Sequence, residues 1–493
     1  MNGVRVFRGT YLDSVLQMAG TRAMLDVSGV EWAAAAMATP ANVDTLVERG
    51  FDAPPATAND LFIAVTAGDE AVVVAALASG EARLFAATAT KAETAEQSVR
   101  TLQEVSGANV AVISVPGDYA ALEAHKALSA GLDVLLFSDN VSVEDEVALK
   151  DRAAEVGRLV MGPGAGTAML GGVGLGFANA VKPGRVGVIA AAGTGAQEAM
   201  TLLDRWGVGV SHVIGLGGRD LTEAVGGRMA KLAVAAMRDD PATDVILLVS
   251  KPPSERVAQE VVALAGDTPM VASLVGLKGE LRLPEGVTVV RTLEDGVVAT
   301  LGVLGLPAPD LSLAVDVNVD PARTLVRGLF SGGTLCYESL VILSDLLGPV
   351  WSNTPLDKAL HVPAPAGSHV CLDLGEEEYT KGRPHPMIDP EARIEFILAA
   401  GREADVAVVL IDVVLGHGSH PDPAGALAPA CADVHAGGAG PQVVAYVLGT
   451  DQDPQGYAGQ RARLAAAGCV VTATAAQASR AAAAIALRKP ELA

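Results

Sequence analysis

The chain has 493 residues, a formal net charge of −22, 50% hydrophobic residues and only 3% aromatic ones. That length exceeds one hydrophobic core, so about three or four domains are expected. The acidity argues against nucleic acid and anionic membrane surfaces as partners, and any anionic ligand must be held by local N–H groups and a few cations.

In chain order, residues 1–105 read as a small α+β unit, with strands at 4–7, 30–37 and 61–66 and helical patterns between them. The Ala-, Thr- and Glu-rich stretch 84–105 reads as a helix or linker. A parallel βα rhythm begins at 109–114 and continues at 133–137 and 158–161, which makes 106–181 a Rossmann-like portion. Lys182-Pro183-Gly184 is a turn that opens a domain at 182–310, with strands near 186–190, 211–215, 244–250, 269–275 and 287–291. A Pro-rich linker, 306–320, leads to a domain at 321–493, with strands near 326–330, 368–373, 405–413, 442–448 and 469–473 and an Ala-rich helix at 475–487. Strands alternating with helices predict α/β architecture: tandem doubly wound parallel sheets of Rossmann or flavodoxin type. Both large domains begin strand, small-residue turn, helix, so an internal duplication is expected.

The cysteines (Cys336, Cys371, Cys431, Cys469) are far apart and form no CxxC pair. Neither a zinc site nor a disulfide framework is indicated. The N-terminal residues have no apolar core of signal-peptide length, and apolar runs such as 406–415 are strand-sized. A soluble, cytoplasmic protein with no membrane contact is expected.

Two turns carry the chemistry. Gly193-Thr194-Gly195 and Ser331-Gly332-Gly333-Thr334 each break an apolar strand and open a helix. Turns without bulky side chains bare N–H groups at a helix N-terminus and so accept phosphate or carboxylate. The bland alternative is tight helix–sheet packing. Gly217-Gly218-Arg219-Asp220 ends the next strand, at the sheet edge where open α/β folds bind ligands. Arg219 there can clamp an anion, or pair with Asp220 on the surface. Lys251, held before Pro252-Pro253 at the same edge, can neutralise charge or simply be solvated. The loop 379–390 gathers Lys381, Arg383, His385 and Asp389 among prolines, which reads as a substrate loop rather than a stiff connector. Asp412 lies inside an apolar run, where an unpaired carboxylate is costly. His417 and His420 follow on a Gly/Pro loop, where acid–base work or anion contact fits better than a metal; no metal is expected.

The chain resembles the FdrA proteins, relatives of succinyl-CoA synthetase. The resemblance runs through 38–42, 136–141, 215–220, 250–253, 382–390 and 412–423. Residues 109–310 resemble the synthetase α subunit and 325–490 the carboxyl domain of its β subunit. In the synthetase two facing helices aim their N-termini at a phosphohistidine, and Gly193-Thr194-Gly195 and Gly332-Gly333-Thr334 match those helix starts. The histidine itself is missing from the matching stretch, 272–286. The resemblance makes 106–181 a CoA-binding-like Rossmann portion, although its glycine-rich CoA loop and the ATP-grasp half of the β subunit are not recognisable. FdrA-type proteins are also similar to a subunit of oxamate carbamoyltransferase. The resemblance therefore implies a carbamoyltransferase subunit that moves a carbamoyl group between an oxalurate-like ureido acid and phosphate, giving carbamoyl phosphate. Phosphate or carbamoyl phosphate is then a substrate and no cofactor is required. The two turns and Gly217-Gly218-Arg219, with Asp412, would hold phosphate and substrate, Lys251, Arg219 and Arg383 would neutralise charge, and His385, His417 or His420 would move the proton. The expected partners are a small anionic substrate, phosphate, and further copies or other carbamoyltransferase subunits. The alternatives are an acyl-CoA synthetase that uses CoA, and a scaffold that binds an effector anion.

Overall fold

The computed structural model describes residues 1–12, 14–90, 102, 105–381, 383–435 and 440–493. They form two compact units, Met1–Glu104 and Val105–Ala493. The first unit contains β1 (Asn2–Phe7), α1 (Ser14–Leu25), β2 (Val30–Met37), α2 (Pro40–Glu48), β3 (Leu61–Ala67) and α3 (Glu70–Thr90). Its sheet order is β1-β3-β2, with both outer strands antiparallel to β3. The central position of β3 explains its apolar run Leu61-Phe62-Ile63-Ala64-Val65, buried throughout. α2 starts where Thr39 Oγ1 accepts the Asn42 N–H at 3.4 Å, ahead of Pro40 in the first turn. Of the expected helix or linker at 84–105, the part to Thr90 belongs to α3; residues 91–101 and 103–104 lie outside the described residues.

The second unit opens with β4 (Val110–Ile113), α4 (Gly117–Ser129), β5 (Asp133–Leu136), α5 (Val143–Glu155) and β6 (Val160–Met161), a three-stranded parallel sheet in the order β4-β5-β6. A hairpin, β7 (Thr167–Leu170) and β8 (Val173–Gly176), follows. Its Gly171-Gly172 turn has positive φ at both residues, which glycine accepts without strain.

β9 (Pro183–Ala191), α6 (Gly193–Arg205), β10 (Val210–Gly215), α7 (Arg228–Asp239), β11 (Val245–Ser250), α8 (Glu255–Val262), β12 (Met270–Leu274), β13 (Val287–Val290) and α9 (Leu293–Val303) come next. Residues 306–320 carry no regular structure. The last stretch holds β14 (Leu325–Phe330), α10 (Gly333–Leu347), β15 (Val350–Trp351), β16 (His369–Asp373), α11 (Glu377–Thr380), α12 (Ile394–Arg402), β17 (Val406–Val414), α13 (Pro423–His435), β18 (Gln442–Leu448), α14 (Tyr457–Ala466), β19 (Val470–Thr472) and α15 (Ala475–Leu487). The two large sheets run β13-β12-β11-β9-β10-β7-β8 and β15-β16-β14-β17-β18-β19. Within each, five parallel strands repeat one order: the second strand beside the first, then the third, fourth and fifth. This is the doubly wound flavodoxin-like arrangement, twice. Its strands are covered on both faces, so they read as continuous apolar runs; all nine residues of β17 are buried.

The two large sheets share one core. Val188, Val249 and Leu203 from the first join Leu335, Leu340 and Tyr446 from the second. Alanines 478, 481 and 482 of α15 are buried in it, and their small side chains let α15 lie close on α10, where Ser339 and Ser479 hydroxyls meet at 2.8 Å. Carboxylates also sit in this seam. Glu338 of α10 accepts the Leu293 N–H at 2.6 Å and so caps α9 from the neighbouring domain. Glu198 of α6 accepts the Tyr446 hydroxyl at 2.5 Å, and Glu294 pairs with Arg480 at 2.8 Å. Arg205 reaches Tyr457, the Tyr446 hydroxyl and the Ala473 carbonyl. Burial pushes the Glu198 carboxyl up to about 7 and raises that of Glu338 as well. No helix among the described residues is long and apolar enough to cross a membrane.

Candidate functional site: two helix starts and a lysine

The geometry begins with two strands that end in small residues. After β9, Ala192 is extended and no side chain among the described residues caps α6. The first-turn N–H groups of Gly193, Thr194 and Gly195 therefore face out of the helix without a side-chain acceptor. After β14, Gly332 precedes Gly333, the first residue of α10. The two starts abut: the Thr334 N–H donates to Thr194 Oγ1 at 3.3 Å. A Cβ on Gly195 would lie 2.9 Å from Thr334 Cγ2, and one on Gly332 would lie 3.1 Å from Thr194 Cβ. Small residues are thus required for the approach itself. Thr334 is 1% exposed and its hydroxyl has no partner, an unusual state for a buried polar atom.

The second turn departs from expectation in its first half. The Ser331 and Gly332 N–H groups already donate to Asp412, at 2.7 and 2.8 Å, and the Ser331 hydroxyl does so at 3.0 Å. Asp412 is in turn paired with Arg393 at 3.0 Å, both side chains being almost wholly buried. Arg393 also donates to the Asp412 and Leu329 carbonyls. Asp412 was expected to hold a ligand; instead it fills the turn as an internal anion, and Ser331 and Gly332 are spent on it. Gly333 and Thr334 remain at the α6 side.

Lys251 leaves β11 beside this point. Its Nζ would lie 3.1 Å from a Cβ on Gly333, and it stands 5.5 Å over the Tyr337 ring. Asp373, at the carboxyl end of β16, crowds the same spot: its Oδ2 would collide with that Cβ. The backbone of Asp373 is fixed by Asn353, whose side chain takes its N–H and donates to its carbonyl, each at 2.9 Å. Burial pushes the Asp373 carboxyl up to about 7. His385 approaches from the proline-rich loop, its Nε2 only 2.5 Å from where a Gly375 Cβ would be. Its Nδ1 accepts the Met387 N–H at 3.2 Å, so in the neutral ring the proton sits on Nε2. Burial lowers the His385 imidazole to about 4, which keeps it neutral.

The other expected residues lie elsewhere or are engaged. Arg219 pairs with Glu146 at 2.8 Å and donates to the Val141 carbonyl, so it does not stand free as an anion clamp. Nor does it pair with Asp220. That carboxylate is fully buried, binds Lys150 at 2.8 Å and accepts the Ala230 N–H at 2.9 Å, capping α7. Gly217 has φ +81 and presses on the Pro163 carbonyl, a packing duty, whereas a side chain at Gly218 would meet open space. Arg383 and His417 are exposed; Gly382, in the expected substrate loop, lies outside the described residues. The His417 N–H donates to the Ala178 carbonyl, and the His420 ring accepts the Asp422 N–H at 3.0 Å. These contacts tie both histidines to their own loop and to Ala178. Asp373, Asn353, Arg393 and Tyr337 were not singled out by the sequence. The readable signal for Asp373 was its place at a strand's carboxyl end, in the repeat that starts with the second turn.

Comparison with known proteins agrees with this architecture. Residues 329–485 match the family model described as CoA-ligase, and residues 1–101 match one described as AllF, heavy metal-associated domain. Residues 1–104 contain neither Cys nor His, so methionine thioethers are this unit's soft donors. Among the described residues no cluster of His, Cys, Asp and Glu suits a metal. The chain is 27% identical over 187 residues to the succinate–CoA ligase [ADP-forming] subunit alpha of Aquifex aeolicus, covering 36% of this chain and 60% of that subunit. A solved dinucleotide-forming acetyl-coenzyme A synthetase 1 of Ca. Korarchaeum cryptofilum, in complex with phosphate and ADP, aligns with 80% of this chain and 86% of its own, at 16% identity and a TM-score of 0.32. The chain is also similar to the Escherichia coli (strain K12) protein YahF, described as uncharacterized, at 38% identity over 492 residues, 94% of this chain and 95% of YahF. With its AllF-type N-terminal unit and CoA-ligase-type fold, the chain belongs to the family of YahF.

Proposed function

We propose that the chain is the acyl-phosphate-handling subunit of an acid–thiol-ligase-type enzyme. The observation that carries this is the contact between the first turns of α6 and α10, where Thr194 Oγ1 takes the Thr334 N–H beside Lys251. Each helix start favours an anion by about 0.3–1 kcal/mol when exposed and up to ~2 when partly buried. Two together with one ammonium hold a phosphate in a chain of strong net negative charge. An incoming nucleophile attacks the acyl carbon; the bond from that carbon to the phosphate oxygen breaks, and the electron pair leaves on phosphate. The helix starts and Lys251 stabilise that charge as it develops.

CoA itself fits the described residues poorly. The β4–β6 portion, the expected Rossmann-like CoA domain, has Lys126, Lys150, Arg152 and Arg158 as its cations. Lys126 pairs with Glu123, Lys150 with Glu146 and Asp220, and Arg158 with Asp133; Arg152 bonds His125 and Ser129. A CoA diphosphate there would have to displace an existing partner of each cation. This favours a second reading from the same site. Carbamoyl phosphate is also an acyl phosphate, and transfer from it to oxamate needs neither a thiol nor a histidine in 272–286. Any further subunits would supply the acceptor site.

Phosphate release from acetyl, succinyl and carbamoyl phosphate, with CoA or with oxamate, separates the two readings. It should be measured on the chain alone and with the proteins that co-purify with it. CoA-dependent release supports the ligase reading and oxamate-dependent release the carbamoyl reading. No acceptor-dependent release in any mixture overturns both.

A further inference from the structure

We infer that Asp373 is a proton-carrying contact for the anion bound at the α6 and α10 starts: it takes up a proton as the anion lands and presents it as a hydrogen bond. This rests on the anion-site reading above. Asp373 is 2% exposed, and its Oδ1 accepts the Gly375 N–H at 3.0 Å. Its Oδ2 is the atom crowding Gly333, the first residue of α10, beside Lys251 Nζ. An anion seated on that helix start therefore comes against a carboxyl group whose backbone Asn353 holds in place. Two buried negative charges cannot share the spot cheaply. A protonated carboxyl turns the repulsion into a donor contact.

The groups facing Asp373 leave that proton with it. Tyr337 on α10 is pushed up to about 12 and stays neutral, burial also pushes up the Cys336 thiol, and His385 is lowered to about 4. Asp412 on β17 is occupied by Arg393 and by the Ser331 and Gly332 N–H groups. Glu376 raises the Asp373 carboxyl and Lys251 lowers it, while burial outweighs both. The proton is thus exchangeable near neutral pH.

Sulfate is the probe, because it stays a dianion across the range and any pH dependence belongs to the protein. Sulfate affinity should fall roughly twentyfold between about pH 6.5 and 8.5, as one group near 7 loses its proton. In Asp373→Asn the affinity should be nearly flat with pH. Calorimetry of the unaltered protein in buffers of different ionisation enthalpy should show uptake of about 0.7 proton per sulfate near pH ~7.5, a readout that does not depend on the variant folding. Equal pH slopes in both proteins, or binding without proton uptake, overturns the inference and leaves the anion site standing. No sulfate binding to the unaltered protein at any pH overturns the anion-site reading, and this inference with it.

Discussion

Replacing Glu198 with Gln should change how the stability of the paired domains depends on pH. Glu198 is 1% exposed on α6, one oxygen holding the Tyr446 hydroxyl and the other without a partner. Burial lifts its carboxyl from the ordinary 4.5 to about 7. The unfolded chain loses this proton above about 4.5 while the fold retains it, so the unfolded state binds fewer protons in that window. Its contribution is fully present below the unfolded value and is lost as pH rises through about 7. At about 1.4 kcal/mol per pH unit, the loss across the window is roughly 3 kcal/mol, with the attraction of Arg205 for ionised Glu198 already counted in it. Gln keeps an oxygen for Tyr446 and has no proton to lose. The assay is urea unfolding at a series of pH values, followed by the fluorescence of Trp206, which closes α6, in a background with Trp32 and Trp351 changed to Phe. Relative to that background, Glu198→Gln should gain stability steadily from about pH 5 to about pH 8, up to the roughly 3 kcal/mol above. Parallel curves for the two proteins would show that Glu198 is ionised in the fold and would refute the argument.

Gly333→Ala places a methyl against Asp373 Oδ2 and 3.1 Å from Lys251 Nζ; sulfate affinity should drop about tenfold or more with an unchanged circular dichroism spectrum, and unchanged affinity would remove Gly333 from the site. Arg393→Met leaves Asp412 buried without its cation and should cost about 3–5 kcal/mol in denaturant unfolding, whereas the Arg393→Met, Asp412→Leu pair should recover part of it. A loss under about 1 kcal/mol in the single variant would mean that the pair is not buried in solution.

The fold was largely legible. β11, β12 and β17 are parallel strands buried at every residue, and unbroken apolar runs such as Val245-Ile246-Leu247-Leu248-Val249 announce such strands directly. The short hairpin β7–β8 and the two-residue β15 were missed: Thr167-Ala168-Met169-Leu170 and Val173-Gly174-Leu175-Gly176 are too short and too Gly-rich to show a period. The site was half legible. Small-residue turns are local and can be read, so both helix starts were found. What each turn holds is not local. Asp412 stood out as a misplaced carboxylate, but its partner Arg393 lies 19 positions away on another element. The same distance problem hid Asp373, which meets Lys251 only when two separate sheets dock.

The Thr194–Thr334 contact joins helices that open two separate α/β domains. Here residues 306–320 tether them in one chain. Such a tether replaces a bimolecular encounter by a fixed effective concentration, in the millimolar range for short flexible links. Assembly of this pocket is therefore independent of how dilute the protein becomes, and dissociation cannot serve as a way of switching it off.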